Sequence, residues 1–134
     1  SGREEDFAAA DELCRRMFAP VLKSHRITVR DMAILEPAAA EVVVAGAATL
    51  MRQAVEEAIK RGVPAEAAWA FMLGHTKIPL AIVFGQTDFP VSDAAQVAIQ
   101  VGFERVIRPD WRRVFDDDVL AETVRRMLHP ETKQ

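Results

Sequence analysis

Apolar residues recur at three- and four-residue steps along almost the whole chain, the spacing of one buried face of a helix. Phe7, Leu13, Met17 and Phe18 mark such a face in an Ala-rich helix over Glu4 to Met17, disturbed at its end by Pro20, and Ser24-His25-Arg26 reads as a turn. Thr28, with Asp31 three residues on, has the form of an N-cap and an approximate capping box. From Val29 the helical pattern runs to Arg61 and stops at Gly62, the C-cap position. Pro37 is expected to kink that helix or break it in two. The first half of the remainder, AAAEVVVAGAA, is small and apolar all round, which predicts a helix buried on every side.

A second strongly apolar stretch follows Pro64, which suits a first helical turn. It runs to about Phe84 and ends at Gly85. Ser92 or Asp93 caps a helix over Ala94 to Val106. Pro109 opens a short helix through Trp111 and Phe115, and Asp116 to Asp118 begin the last one, with Arg125 and Arg126 in its final turns as the macrodipole favours. Ile78 to Phe84 has strand-like composition, but its helical context is continuous and no partner strand exists. The predicted fold is all-α, a single multi-helix domain of residues 1–134 around a long central helix, with a frayed tail at 130–134.

Half of the 134 residues are apolar and the net charge is -3. That composition supports a packed core and lacks the surplus of Lys and Arg that nucleic-acid backbones demand, so no nucleic-acid partner is expected. The most apolar run, Ala38 to Met51, contains Glu41 and Thr49 and falls short of a membrane span, so no membrane partner is expected. Cys14 is the single cysteine; it cannot form an intrachain disulfide, fits a cytoplasmic protein, and reads as a small core or boundary residue. The chain opens without Met and moves directly into a helix, as a piece of a longer polypeptide would.

The candidate chemistry lies where the apolar helices carry polar residues. His75 and Lys77 interrupt WAFMLGHTKIPLAIVF beside Gly74 and before Pro79. Two positions apart on a helix, they point about 200° from each other; they share a pocket only if Pro79 unwinds the helix locally. The plain alternative is a core histidine bonded to a carbonyl and a lysine reaching out to solvent. Glu36 and Glu41 sit in apolar surroundings, where a buried carboxylate must be paired, protonated or metal-bound. Their five-residue spacing places them about 140° apart on an ideal helix. They read as acid/base or divalent-metal groups, or as structural carboxylates. Asp93 is a helix cap by default, His25 and His129 are poor candidates, and Trp69, Phe71, Phe84 and Phe89 read as core or interface anchors. There is no P-loop, GxGxxG, CxxC or HExxH, so the chain holds no self-contained nucleotide or zinc site of the common kinds.

Four strings, MFAPVLKSHRITVRDMAILEPA, EEAIKRGVPAEAAWAFMLGH, LAIVFGQTDFPVSDAA and IRPDWRRVFDDDVL, together resemble the C-terminal domain of phosphogluconate-dehydrogenase-like oxidoreductases. More narrowly, they resemble the branch with D-apionate oxidoisomerase and related sugar-acid dehydrogenases. The resemblance covers about Glu4 to Arg126. It implies an upstream Rossmann domain that binds NAD or NADP, absent from this chain, and a helical second domain that dimerises and closes the substrate cleft. On that basis His75 and Glu36 are the expected catalytic groups, with Glu41, Lys77 and Asp93 as substrate-binding candidates. No cofactor-binding residue is assigned to this chain, and a divalent metal is an open possibility. The HTKIP segment departs from the family pattern, where amide or acidic residues tend to stand at the Lys77 and Pro79 places. The expected partners are a sugar-acid substrate and a second copy in a homodimer. The rival reading is a non-enzymatic helical module that binds a partner helix or a small acid through the same surfaces.

Overall fold

The computed structural model describes residues 2–130, and the outer part of the expected frayed tail lies outside them. Five helices carry the architecture, and no strand occurs among the described residues. Helix α1 is Glu4–Met17. The segment after it runs without regular structure to Thr28 and lies back along α1: Arg15 donates to the Ser24 hydroxyl at 3.0 Å, and the Arg26 guanidinium sits 3.7 Å over the Phe7 ring and pairs with Glu4. The expected turn at Ser24-His25-Arg26 is thus an extended strap. Cys14, expected in a core or at its boundary, is exposed on this arm because no other described helix packs substantially on α1.

Thr28 then caps the next helix as the sequence predicts. Its hydroxyl accepts from the Asp31 amide at 3.1 Å, and Asp31 Oδ2 accepts from the Thr28 amide at 2.9 Å. The helix that follows, α2, is continuous over Val29–Lys60. At 1.5 Å per residue its 32 residues extend about 48 Å, well beyond the ~30 Å diameter of a small domain. Pro37 does not break it. The stretch Ile34–Ala45 winds as a π-helix instead. A proline lacks the donor for an i→i−4 bond and crowds the carbonyl one turn back, and a wider turn relieves that crowding. By length and hydropathy alone α2 matches a membrane span. Glu36 and Glu41 in its apolar half, and the helices packed along it, make it the spine of a helical domain.

Two small knots of packing hold other helices to the spine. At its C-terminal end Gly62, at φ 98°, turns the chain into α3, Ala65–Val83, and Val55 and Ala68 are buried in the hairpin. At its N-terminal end the last helix, α5, Asp117–Leu128, packs on the π-helical stretch and buries Ala38 and Leu120. A 3-10 turn, Trp111–Phe115, joins that knot, and Arg30 pairs with Asp117 at 2.9 Å across it. Between them α4, Asp93–Arg105, is capped by Ser92, whose hydroxyl accepts from the Ala95 amide at 3.3 Å. Neither α1 nor α4 packs substantially on another helix.

The expectation that α2 is buried on all sides fails for a single chain. Val42, Val43, Val44 and Leu50 are exposed, as are Trp69, Phe71, Phe84 and Phe89, which were expected as anchors. The accessible surface is 11624 Å². A compact monomer of 14.9 kDa exposes about 7,000 Å². The helices are therefore not wrapped around one core.

The cap carries a measurable share of the order at the start of the spine. Thr28→Ala is expected to cost about 1 kcal/mol, read as a lower urea midpoint at unchanged m-value. Hydrogen bonds from the Thr28 backbone and then its hydroxyl lower the Asp31 pKa below its ordinary 3.8. A carboxyl lowered on folding stabilises above its unfolded value and loses that contribution as pH falls through the folded one. Acid loosening of the helix start is therefore expected below pH 3.8, and Asp31→Asn should abolish that acid-dependent step in a pH series followed by amide exchange.

Candidate functional site

His75 lies on α3, the regular helix Ala65–Val83, which contains Pro79 without unwinding. The local unwinding expected there does not occur, so His75 and Lys77 stay on different faces and do not converge on one pocket. His75 is exposed rather than in a core, but it is ordered from its own helix. Its ring stacks on Phe71 with centroids 4.0 Å apart, and Nδ1 lies 3.2 Å from the Phe71 carbonyl oxygen. A carbonyl only accepts, so Nδ1 is the donor and neutral His75 presents Nε2 as a bare acceptor. Pro79 adds to this. Its missing N–H is the one that would donate to the His75 carbonyl four residues back. One residue therefore offers two acceptors, a ring nitrogen and a backbone oxygen without its helical partner, beside Thr76, whose hydroxyl donates to the Met72 carbonyl at 2.8 Å. His75 and Thr76 border an open cavity of about 250 Å³ together with Met51, Met72, Pro79, Leu80 and Val83. An apolar wall with acceptors at its edge suits a ligand that donates hydroxyl protons.

Glu36 and Glu41 are exposed on the spine, not buried as the sequence suggests. Their mutual geometry also differs from the ideal-helix expectation. In the π-helical stretch residues five apart stand about one turn from each other, which draws the two carboxylates towards one face. Asp93 is exposed at the first position of α4, where its charge suits the helix N-terminus, while Ser92 makes the side-chain cap. Lys77 is exposed and makes no ion pair among the described residues.

The two halves of the expected site do not meet within one chain. His75 is level with Met51, and Glu36 stands 15 residues earlier on the same spine, roughly 20 Å along the axis. Among the described residues no group of three or more His, Cys, Asp or Glu could hold a metal ion. The described carboxylates thus do not by themselves assemble a calcium-type site, which needs six or more oxygens. Sequence reasoning passed over Arg126 and His129. With Val42, Glu122, Thr123, Met127 and Pro130 they line an open groove of about 800 Å³ beside the Glu41 segment. An arginine in a last helical turn reads in sequence as a dipole partner; only the packing of α5 on the spine brings it to the groove.

The model of the phosphogluconate dehydrogenase (decarboxylating) C-terminal family matches residues 1–128. The chain belongs to that family. Within it, the chain is 42% identical over 94% of its length to D-apionate oxidoisomerase of Cupriavidus necator and 40% identical to that of Rhizobium rhizogenes. It spans 46% of each of these relatives, about half their length. A solved structure of a semialdehyde dehydrogenase NAD-binding protein from Cupriavidus necator, in complex with calcium and NAD, superposes at a TM-score of 0.90 with 42% identity, over 94% of this chain and 46% of that one. An oxidoreductase from Jannaschia sp. CCS1 superposes at 0.81 with 32% identity, over 91% of this chain and 44% of that one. The all-α fold and the long helix are those of the phosphogluconate dehydrogenase C-terminal family.

The role of Pro79 is testable without substrate. Pro79→Ala restores the donor to the His75 carbonyl and should raise the urea midpoint, by about 1–3 kcal/mol of stability. A midpoint that stays put or falls would mean the carbonyl already has a partner.

Proposed function

We propose that this chain is the substrate-cleft and dimerisation domain of a nicotinamide-dependent oxidoreductase acting on a sugar acid. The observation that carries the reading is the 42% identity to a D-apionate oxidoisomerase across 94% of the chain, at only 46% of that enzyme's length. An all-α chain offers no strand–turn–helix to cradle a dinucleotide pyrophosphate, so NAD or NADP is held mainly by residues outside it. The semialdehyde dehydrogenase NAD-binding protein that superposes at a TM-score of 0.90 carries NAD and calcium, which favours NAD here. Ligands for a divalent ion would come in part from beyond the described residues. The working compartment is the cytoplasm.

In this reading the residues of the chain handle protons and position. The bound nicotinamide supplies the hydride exchange. His75 Nε2 accepts the proton of a substrate hydroxyl as that carbon is oxidised, and returns it in the reverse direction. Its Nδ1 bond to Phe71 fixes the tautomer that makes this possible. Glu36 and Glu41, roughly 20 Å from His75 within one copy, would reach further hydroxyls of the same substrate from the second copy of the dimer, with Lys77 and Asp93 as the outer polar contacts. The chain alone is inactive, because hydride transfer requires the nicotinamide site.

In the complete enzyme His75→Ala is expected to lower kcat by about 10²–10⁴ and leave the unfolding midpoint nearly unchanged, since the side chain is exposed. Loss of folding with no specific loss of turnover would favour the rival module, in which His75 is structural. The separated 134-residue chain should reduce no NAD with any sugar acid; measurable reduction would end the two-part reading.

A further inference from the structure

The chain has no tyrosine, and nearly every described serine and threonine hydroxyl is committed to the backbone. Thr28 and Ser92 cap helices. Thr49, Thr76 and Thr123 sit inside helices and donate to carbonyls four residues back. Thr87 accepts from the Phe89 amide at 3.4 Å. Ser24 differs. It is exposed on the strap between α1 and Thr28, where the backbone has no regular structure. Among the described residues its hydroxyl bonds to no backbone group; its partner is Arg15.

Positive charge surrounds that hydroxyl. Arg15 donates through Nη2 to Ser24 Oγ at 3.0 Å and through Nε to Asp11 at 2.8 Å. Lys23 precedes Ser24, and His25 and Arg26 follow it. Ser24 also borders an open cavity of about 500 Å³ between the strap and α1, so a group of phosphoryl size has room. The two carboxylates on the cavity wall, Glu4 and Asp11, each already hold an arginine.

We propose that Ser24 is a phosphorylation site, read by a protein kinase that selects basic residues, and that its phosphoryl group clamps the strap to α1. Transfer needs a hydroxyl placed in line with the γ-phosphorus, on backbone free to lie in a cleft. Hydroxyls inside helices and at caps fail that condition, and Ser24 meets it. The Ser24 oxygen attacks the γ-phosphorus of a nucleoside triphosphate, and the bond from that phosphorus to the bridging oxygen breaks. Nucleoside diphosphate leaves, and the hydroxyl proton passes to a carboxylate base of the kinase. The product carries about −1.5 to −2 charge and strong acceptor oxygens. Arg15 is in place to accept that charge through its fork, in a pair stronger than its present bond to a neutral hydroxyl. Lys23 and Arg26 offset the repulsion from Asp11. The strap is held now by exposed polar contacts, which contribute little, so one charged pair more changes its order.

The intact polypeptide carrying this chain is isolated from its own cells, in growth and in starvation, with phosphatases blocked, and its peptides are mapped by mass spectrometry. A phosphoryl group on Ser24 in either state is expected; its absence from both overturns the site. With magnesium ATP and an arginine-directed serine kinase, the same polypeptide should take up a phosphoryl group and Ser24→Ala should lose that uptake. Uptake that the substitution leaves unchanged overturns the choice of hydroxyl. Amide exchange reads the clamp. Residues 19–27 should exchange roughly fivefold more slowly once phosphorylated, and Arg15→Gln should remove that slowing without preventing uptake. Equal exchange before and after overturns the clamp. Ser24 and Arg15 are exposed, so both variants are expected to fold. Should either fail to, peptide mapping and exchange on the unaltered protein still decide.

Discussion

The constraint on which the rest depends is the mismatch between how much apolar helix this chain makes and how little of it one copy can cover. Apolar burial supplies about 25 cal/mol per Å², and stability is the small remainder after chain entropy is met. Four residues, Ala38, Val55, Ala68 and Leu120, make up the buried core, three of them small or medium in size. They sit in two knots at opposite ends of the spine. Surface ion pairs such as Arg30–Asp117 add little, since exposed pairs contribute about 0–1 kcal/mol. The fold is therefore a set of well-started helices held together by two small knots of packing.

Local chemistry starts and stops those helices independently of the core. Thr28 and Asp31 close a reciprocal cap, Ser92 caps α4, and Gly62 and Gly85 take positive φ just past the ends of α2 and α3. The prolines do something else. Pro37 lies in a π-helical stretch that re-aims Glu36 and Glu41, and Pro79 leaves the His75 carbonyl without its ordinary donor. Each is a departure from regular helix beside a candidate polar group, and each gives up local stability, as functional positions commonly do.

Much of this was legible in the residues. Helix type, most boundaries, the caps and the all-α class follow from periodicity and capping chemistry, which act within one or two turns. The π-helical stretch was not legible, because Pro37 announces a disturbance without saying whether the helix kinks, breaks or widens. The burial of α2 was misread for a different reason. AAAEVVVAGAA does specify an all-round apolar environment, but the pattern is silent on which molecule provides it. Cys14 failed in the same way: its place on an amphipathic face is sound, and among the described residues only the strap up to Thr28 lies along that helix. At the site, sequence singled out His75 but could not give its tautomer, which depends on the Phe71 carbonyl and ring. Arg126 stayed hidden because its packing context lies more than eighty residues away along the chain.

The separation of His75 from Glu36 and the excess of apolar surface have one structural root. A spine about 48 Å long puts its two polar segments at different stations, and the knots of packing at its two ends do not join them. Joining them within one chain would require α3 to cover the π-helical stretch, yet that stretch is taken up by α5 and the Trp111–Phe115 turn. One copy therefore neither dries its own apolar helices nor brings His75 to the Glu36 station.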